Sequence, residues 1–282
     1  MGAAVAACAK HNAKSVLWCP DGRSAATIAR AEEFELEAVW SLPDLLDRAD
    51  IAISLCPPAA AEGVALQVAQ HGFIGGLYVE ANAISPERVQ RIADLLPRAR
   101  AVIDAAVVGS PPIGGKTPTL YLSGPSGAAE RIEAVFADTA VRTHWLGPEL
   151  GQASALKLAY TSFQKTSRLL ASLAIGIARK HGVDRELITI AGRRTDSYLS
   201  EPQYIPKTAA RAWRWGPELE EAATMLAAAG IPADVLQAAA KTLERWHTSK
   251  DNSELTLDAA LAQLATPLTP PGPPHVASEP GE

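Results

Sequence analysis

Over its first 147 residues the chain alternates short apolar runs with Ala-rich stretches of about 8–12 residues, and this alternation constrains the fold more than any other feature. The runs fall at 15–19, 51–56, 76–80, 101–108 and 119–123. Each stops at turn-forming residues: Pro20-Asp21-Gly22, Pro57-Pro58, Asn82, Gly109 and Gly124-Pro125. Helical stretches at 24–33, 41–49, 59–70 and 85–96 lie between them. Strands and helices in this order build an α/β domain around a doubly wound parallel sheet. Right-handed crossovers then bring ligands to the carboxyl ends of the strands, here 19–24, 55–58, 80–85 and 107–112.

From 148 onward the texture changes. No run reads as a strand, and helices are expected at 151–181, 184–191, 207–215, 217–229, 233–248 and 257–264, with Gly182, Gly216 and Gly230 between them. The expected organisation is a sheet domain at 1–147, an all-α domain at 148–265 and a disordered Pro-rich tail at 266–282. With 282 residues, 48% of them hydrophobic, the chain is long enough to bury a sizeable core. Its net charge of −5 gives no footprint for nucleic acid. No apolar run reaches the roughly 18–20 residues that span a bilayer, and the start lacks signal-peptide and myristoylation patterns. Cys8, Cys19 and Cys56 form no CxxC, and the 6 histidines are dispersed, so neither a disulfide framework nor a metal site is expected. A soluble cytoplasmic protein is the resulting expectation.

The head of the chain departs from the usual order. A Rossmann-like unit opens with a strand, then Gly-x-Gly-x-x-Gly, then a helix whose N-terminus binds a pyrophosphate. Here a helix at 2–10 runs straight into the strand at 15–19, and Gly2 stands where the third glycine would be. Either the start is mis-set or truncated, or the pyrophosphate cradle has been lost.

Four further motifs stand in order. Ala49-Asp-Ile-Ala-Ile-Ser-Leu-Cys-Pro-Pro58, Val79-Glu-Ala-Asn-Ala-Ile-Ser-Pro86, Asp104-Ala-Ala-Val-Val-Gly-Ser110 and Gly151-Gln-Ala-Ser-Ala-Leu-Lys157 follow one another. Over residues 1–262 the chain resembles the β-hydroxyacid dehydrogenase and 6-phosphogluconate dehydrogenase superfamily. Within it, the likeness is to NAD(P)-dependent oxidoreductases with a phosphogluconate-dehydrogenase-like C-terminal domain. The resemblance implies a Rossmann-like sheet, its first strand absent here, followed by an all-α domain that dimerises. It also implies hydride transfer between NADP, or NAD, and a small hydroxy-acid or carbonyl substrate. In two motifs the pattern changes: Val108 replaces a serine in the substrate loop, and Thr161 replaces the asparagine after the lysine. A degenerate, non-catalytic relative serving as a dimeric binding protein is the alternative, and imine reduction is another, which retention of Lys157 disfavours.

The candidate residues follow from these motifs. Lys157 is the expected proton donor, on a polar helical stripe with Ser154, Thr161, Gln164 and Arg168. Thr161 joins it as a catalytic candidate, and Val108, Gly109, Ser110 and Tyr160 as substrate contacts. Lys165, about 80° around the helix, reads as peripheral. Cys56, Pro57, Pro58 and Asn82 are the expected nicotinamide contacts, with Gly2 at the diphosphate. Arg23 and Ser24 suit the 2′-phosphate of NADP, although Asp21-Gly22 also reads as a plain turn and Ser24 as a plain helix cap. Trp213 and Trp215, interleaved with Arg211 and Arg214, suit helix packing better than substrate stacking.

Overall fold

The computed structural model describes residues 1–180, 182–193, 201–228, 230 and 232–265. The expected helix ends at His181 and Ala229 and the tail at 266–282 lie outside the described residues. The chain divides into two compact units, Met1–Thr166 with Arg214–Ala240, and Ser167–Trp213 with Lys241–Glu282.

The first unit holds the sheet. Strands β1 (Leu17–Trp18) and β2 (Glu37–Ala38) pair in parallel as a separate ribbon. Strands β3 (Ile51–Ser54), β4 (Leu77–Glu80), β5 (Ala101–Val108), β6 (Thr119–Ser123) and β7 (Arg142–Gly147) form a five-stranded sheet in that order. Around them run α1 (Gly2–Ala9), α2 (Ala25–Glu33), α3 (Leu42–Arg48), α4 (Ala61–His71), α5 (Pro86–Leu95) and α6 (Ser126–Phe136). Alternate residues of β4 face opposite cores. Leu77 and Val79 pack with Val5, Ile132 and Phe136, whereas Tyr78 packs with Leu46, Ala65 and Ile92. Burial on both faces explains why such strands read as continuous apolar runs. Local signals set the helix ends: the Ser85 hydroxyl accepts from Arg88 N at 3.4 Å beside Pro86, and Gly72 caps α4 in the left-handed conformation.

Register places four polar residues side by side across the sheet. Ser54 pairs with Glu80, Glu80 with Asp104, and Asp104 with Ser123. All four are buried. A polar row inside a covered sheet has to find partners within the protein.

The structure differs from the sequence reading in several places. Strand β6 runs antiparallel to β5. Only residues 109–118 link the two, with no helix among them, which is too short for a parallel crossover. The elements β2, α6 and β7 were not expected. β2 is only two residues long, and β7 alternates poorly because most of its side chains are exposed.

Helix α7 (Gln152–Lys180) starts in the first unit and ends in the second; α8 (Asp184–Ala191) lies in the second. Gly216 does not end a helix: α9 (Ile205–Ala228) runs through Gly216-Pro217. Pro217 cannot donate to the Trp213 carbonyl, but Trp215, Leu219, Ala222 and Ala223 bury one continuous face and hold the helix together. The run at 233–248 breaks after α10 (Asp234–Leu243) into a 3-10 segment, Glu244–Ser249. There Trp246 is fully buried and donates Nε1–H to the Ala260 carbonyl at 2.8 Å, on α11 (Leu257–Ala265). Among the described residues no helix is long and apolar enough to cross a membrane.

Candidate active site at the strand ends

Strand β5 fixes the start of α7 at two points. One Asp104 oxygen accepts from the Ser154 backbone N–H at 2.9 Å and from the Ser123 hydroxyl at 3.0 Å. The other accepts from the Ser154 hydroxyl at 2.6 Å. Ser123 Oγ in turn accepts from Ala153 N–H at 3.2 Å. A carboxylate on the first N–H groups of a helix satisfies donors that have no partner inside it and complements the helix dipole. One turn later, Lys157 Nζ donates to the Val107 carbonyl at 2.9 Å. Aspartate and carbonyl are three residues apart on β5, and their partners Ser154 and Lys157 are three apart on α7. Gly151 makes the approach possible: its φ is +98°, and a Cβ there would stand 2.7 Å from Pro86 Cβ.

Burial drives the Lys157 ammonium down to about 8, with the charge of Arg214 adding to the effect. Lys165 is not peripheral, contrary to the sequence reading. It is 7% exposed, pairs with Glu218 on α9, and its Nζ lies 5.5 Å from the centre of the Trp215 ring. Burial, Lys157 and Arg214 push its pKa down as well. The buried face of α7 carries Ser154, Leu158, Thr161, Lys165 and Leu169, so the polar stripe lies at the rim of that face rather than along its middle. Thr161 is buried on it beside Lys157, whereas Tyr160 is exposed and accepts from Gln164 at 3.2 Å. Trp215 is a packing residue; Trp213 is partly exposed and donates to Asp251 at 3.3 Å.

The substrate loop continues from β5. Val108 is half-buried, and Gly109 and Ser110 are exposed. Gly109 has φ +124°, and an added Cβ would meet Pro118 Cα at 3.0 Å, so glycine is required.

At the ends of β3 and β4, Asn82 ties two loops together. Its amide hydrogens go to Ser54 Oγ, at 2.9 Å, and to Glu80; its Oδ1 accepts from Cys56 N–H. Asn82 is buried, and both amide donors are used within the protein. Pro57 and Pro58 follow Cys56, and Arg88 donates to the Pro58 carbonyl at 3.0 Å while pairing with Glu62 and Glu221. Burial raises the Cys56 thiol, which the nearby Arg23 charge partly offsets.

Arg23 and Ser24 are both exposed. The Ser24 hydroxyl lies 3.1 Å from that of Thr27 and makes no cap bond to the α2 backbone. Gly2 opens α1 against Leu55, 3.6 Å from that carbonyl oxygen to the position of a built Cβ. No side chain caps α1, and burial, Arg30 and Arg214 lower the pKa of the Met1 amine. Positive potential at this helix start, with Arg23 at the neighbouring strand end, suits a dinucleotide's phosphates.

Reasoning from sequence missed Asp104, Glu80, Arg88 and Arg214 as working residues. The first two stand inside quoted motifs, but only strand register makes them neighbours.

The fold is a parallel-sheet α/β domain with a helical C-terminal part, the fold of the 3-hydroxyacid dehydrogenases. Residues 178–246 match a domain of unknown function, DUF1932. Over 172 residues the chain is 27% identical to an uncharacterized 28.5 kDa protein in the 7S RNA 5′ region of Methanothermus fervidus. That match covers 61% of this chain and 65% of the relative, just under two thirds of its length. Among solved structures, 3-hydroxyisobutyrate dehydrogenase of Mycobacterium tuberculosis is similar, with a TM-score of 0.71 and 18% identity over 94% of this chain and 96% of that one. An imine reductase from Myxococcus stipitatus in complex with NADP+ gives a TM-score of 0.57 and 17% identity over 94% of this chain and 96% of that one. At these identities the resemblance expected from the sequence holds for the fold.

Proposed function

We propose that this chain is an oxidoreductase that passes hydride between NADP and a small hydroxy-acid or carbonyl substrate. The observation that carries the reading is Lys157, a mostly buried amine held to the end of β5 beside the 108–110 loop. When bound, the dinucleotide supplies or accepts hydride at its nicotinamide ring. Arg23 would hold the 2′-phosphate and the start of α1 the diphosphate, and the 56–58 loop, fixed by Asn82 and Arg88, would border the ring. Gly109 and Ser110 receive the substrate. Lys157 donates its proton to the substrate oxygen during reduction and takes it back during oxidation, and a pKa near 8 suits both directions.

Titration with NADPH and NADH, followed by nicotinamide fluorescence, tests this reading. NADPH is expected to bind more tightly than NADH. Arg23→Ala should weaken NADPH by about tenfold or more and leave NADH unchanged, because a charge-assisted phosphate contact is worth about 1.5–3 kcal/mol. Failure of both nucleotides to bind would overturn the reading. Equal losses for both would remove Arg23 from the 2′-phosphate.

A homodimer belongs to the same proposal. Leu156, Tyr160, Phe163 and Leu170 leave 38%, 43%, 70% and 57% of their surface exposed at helical spacing on α7, which supports a subunit contact there. Light scattering should give twice the chain mass, and Phe163→Asp should halve it; a monomeric parent chain would contradict the proposal.

A further inference from the structure

Strand β2 pairs in parallel with β1, Leu17 beside Glu37 and Trp18 beside Ala38. A further bond, from Val39 N–H to the Trp18 carbonyl at 2.9 Å, carries the ribbon onward. Two residues past the last pair, the register sets Trp40 level with Pro20, at the head of the 20–24 turn. Trp40 is 77% exposed, more than any other large apolar side chain among the described residues. Single apolar side chains on a surface are ordinary, so exposure alone assigns nothing.

Two structural roles open to this indole are unused. A residue just before a helix cap often packs onto the fourth helical residue. Ser41 caps α3, accepting from Asp44 N–H at 3.2 Å, yet Trp40 before it stays in solvent. Trp213 and Trp215 each have a lysine ammonium over the ring, whereas among the described residues no cation or second ring covers Trp40. The charges nearest on the ribbon side, Glu37 and Arg48, pair with each other.

Position sets Trp40 apart. In the reading above, the 56–58 and 108–110 loops border the nicotinamide, and the start of α1, against Leu55, takes the diphosphate. Arg23 follows at the end of β1, and its charge reaches the Cys56 thiol beyond β3. Val16, just before β1, packs against the same core as Ile51 and Leu55, which leaves β2 on the outside of the ribbon. One strand further out, a step of about 4.8 Å, lies the end of β2 with Trp40. An adenosine whose 2′-phosphate rests on Arg23 has only its base left to place.

We propose that Trp40 is the platform on which the adenine base of the dinucleotide stacks. A flat, solvated indole takes a purine face without a hydrogen-bonding code, and both rings lose apolar surface to water when they meet. This role rests on the oxidoreductase reading, and it divides adenosine recognition between Arg23 for the 2′-phosphate and Trp40 for the base.

Calorimetric titration with adenosine 2′,5′-bisphosphate and adenosine 5′-diphosphate, neither of which carries nicotinamide, tests the assignment. Trp40→Ala should weaken both by about tenfold, a common loss when the aromatic partner of a base is truncated. Trp40→Phe should keep most of the affinity, and Arg23→Ala should weaken the bisphosphate alone. In the parent chain either nucleotide should quench part of the tryptophan emission, and that part should be missing in Trp40→Phe. If Trp40→Ala does not fold, the quenching difference between the parent and Trp40→Phe decides. Equal affinity of parent and Trp40→Ala for both nucleotides would overturn the platform and leave the oxidoreductase reading standing. A parent chain that binds neither nucleotide would overturn both. Trp40-dependent binding with no hydride transfer from NADPH would sustain the platform and sink the oxidoreductase reading instead.

Discussion

Lys157→Ala is expected to lower the rate of carbonyl reduction by about 10²–10⁴, the usual worth of a positioned proton donor, with NADPH binding nearly unchanged. The amine hangs from the Val107 carbonyl at the end of β5, so its removal takes away the acid without disturbing the sheet. In the parent chain the rate should fall as pH rises through about 8, because burial and Arg214 bring the ammonium to that value and only the protonated amine can donate. In Lys157→Ala that limb should disappear. Single-turnover rates with NADPH across pH 6–9 measure both effects. An alanine variant that keeps the parent rate, or the same high-pH limb, would remove Lys157 from the chemistry.

Asp104→Ala is expected to destabilise the first unit by about 3 kcal/mol or more, since it strands three buried donors at the start of α7. For a domain of this size that lowers Tm by roughly 6–12 °C. Asp104→Asn should fall between parent and alanine: one oxygen still accepts, while the new amide confronts the donors of Ser154. Activity should drop with stability, because Lys157 sits one turn beyond the anchored residue and loses its register against Val107. Thermal unfolding and turnover below Tm separate the two effects. An alanine variant melting within a degree or two of the parent would show that Ser154 and Ser123 find other partners.

What could be read from the sequence, and what could not, follows from where each signal comes from. Strands β3, β4, β5 and β6 emerged near their observed places because burial on both faces leaves apolar runs bounded by Pro, Asn and Gly. The direction of β6 needed the absence of a crossover helix at 109–118 to be weighed. The helix that carries Lys157 was legible from its spacing, while the role of that amine stays a proposal. Lys165 was misjudged because its burial depends on Glu218 and Trp215, about fifty residues away on α9, a distance that periodicity along α7 cannot see. Glu80 and Asp104 show the same limit in the sheet. Each reads alone as a charge in or near a strand end, and only parallel register brings them together as a buried pair.

A crystal structure of the chain grown with NADP+ bears most directly on the proposed chemistry. The nicotinamide ring should rest between the 56–58 and 108–110 loops, its reactive carbon turned toward the Lys157 amine. A ring bound elsewhere, or a Lys157 side chain swung into bulk solvent away from it, would contradict the assignment of the active site.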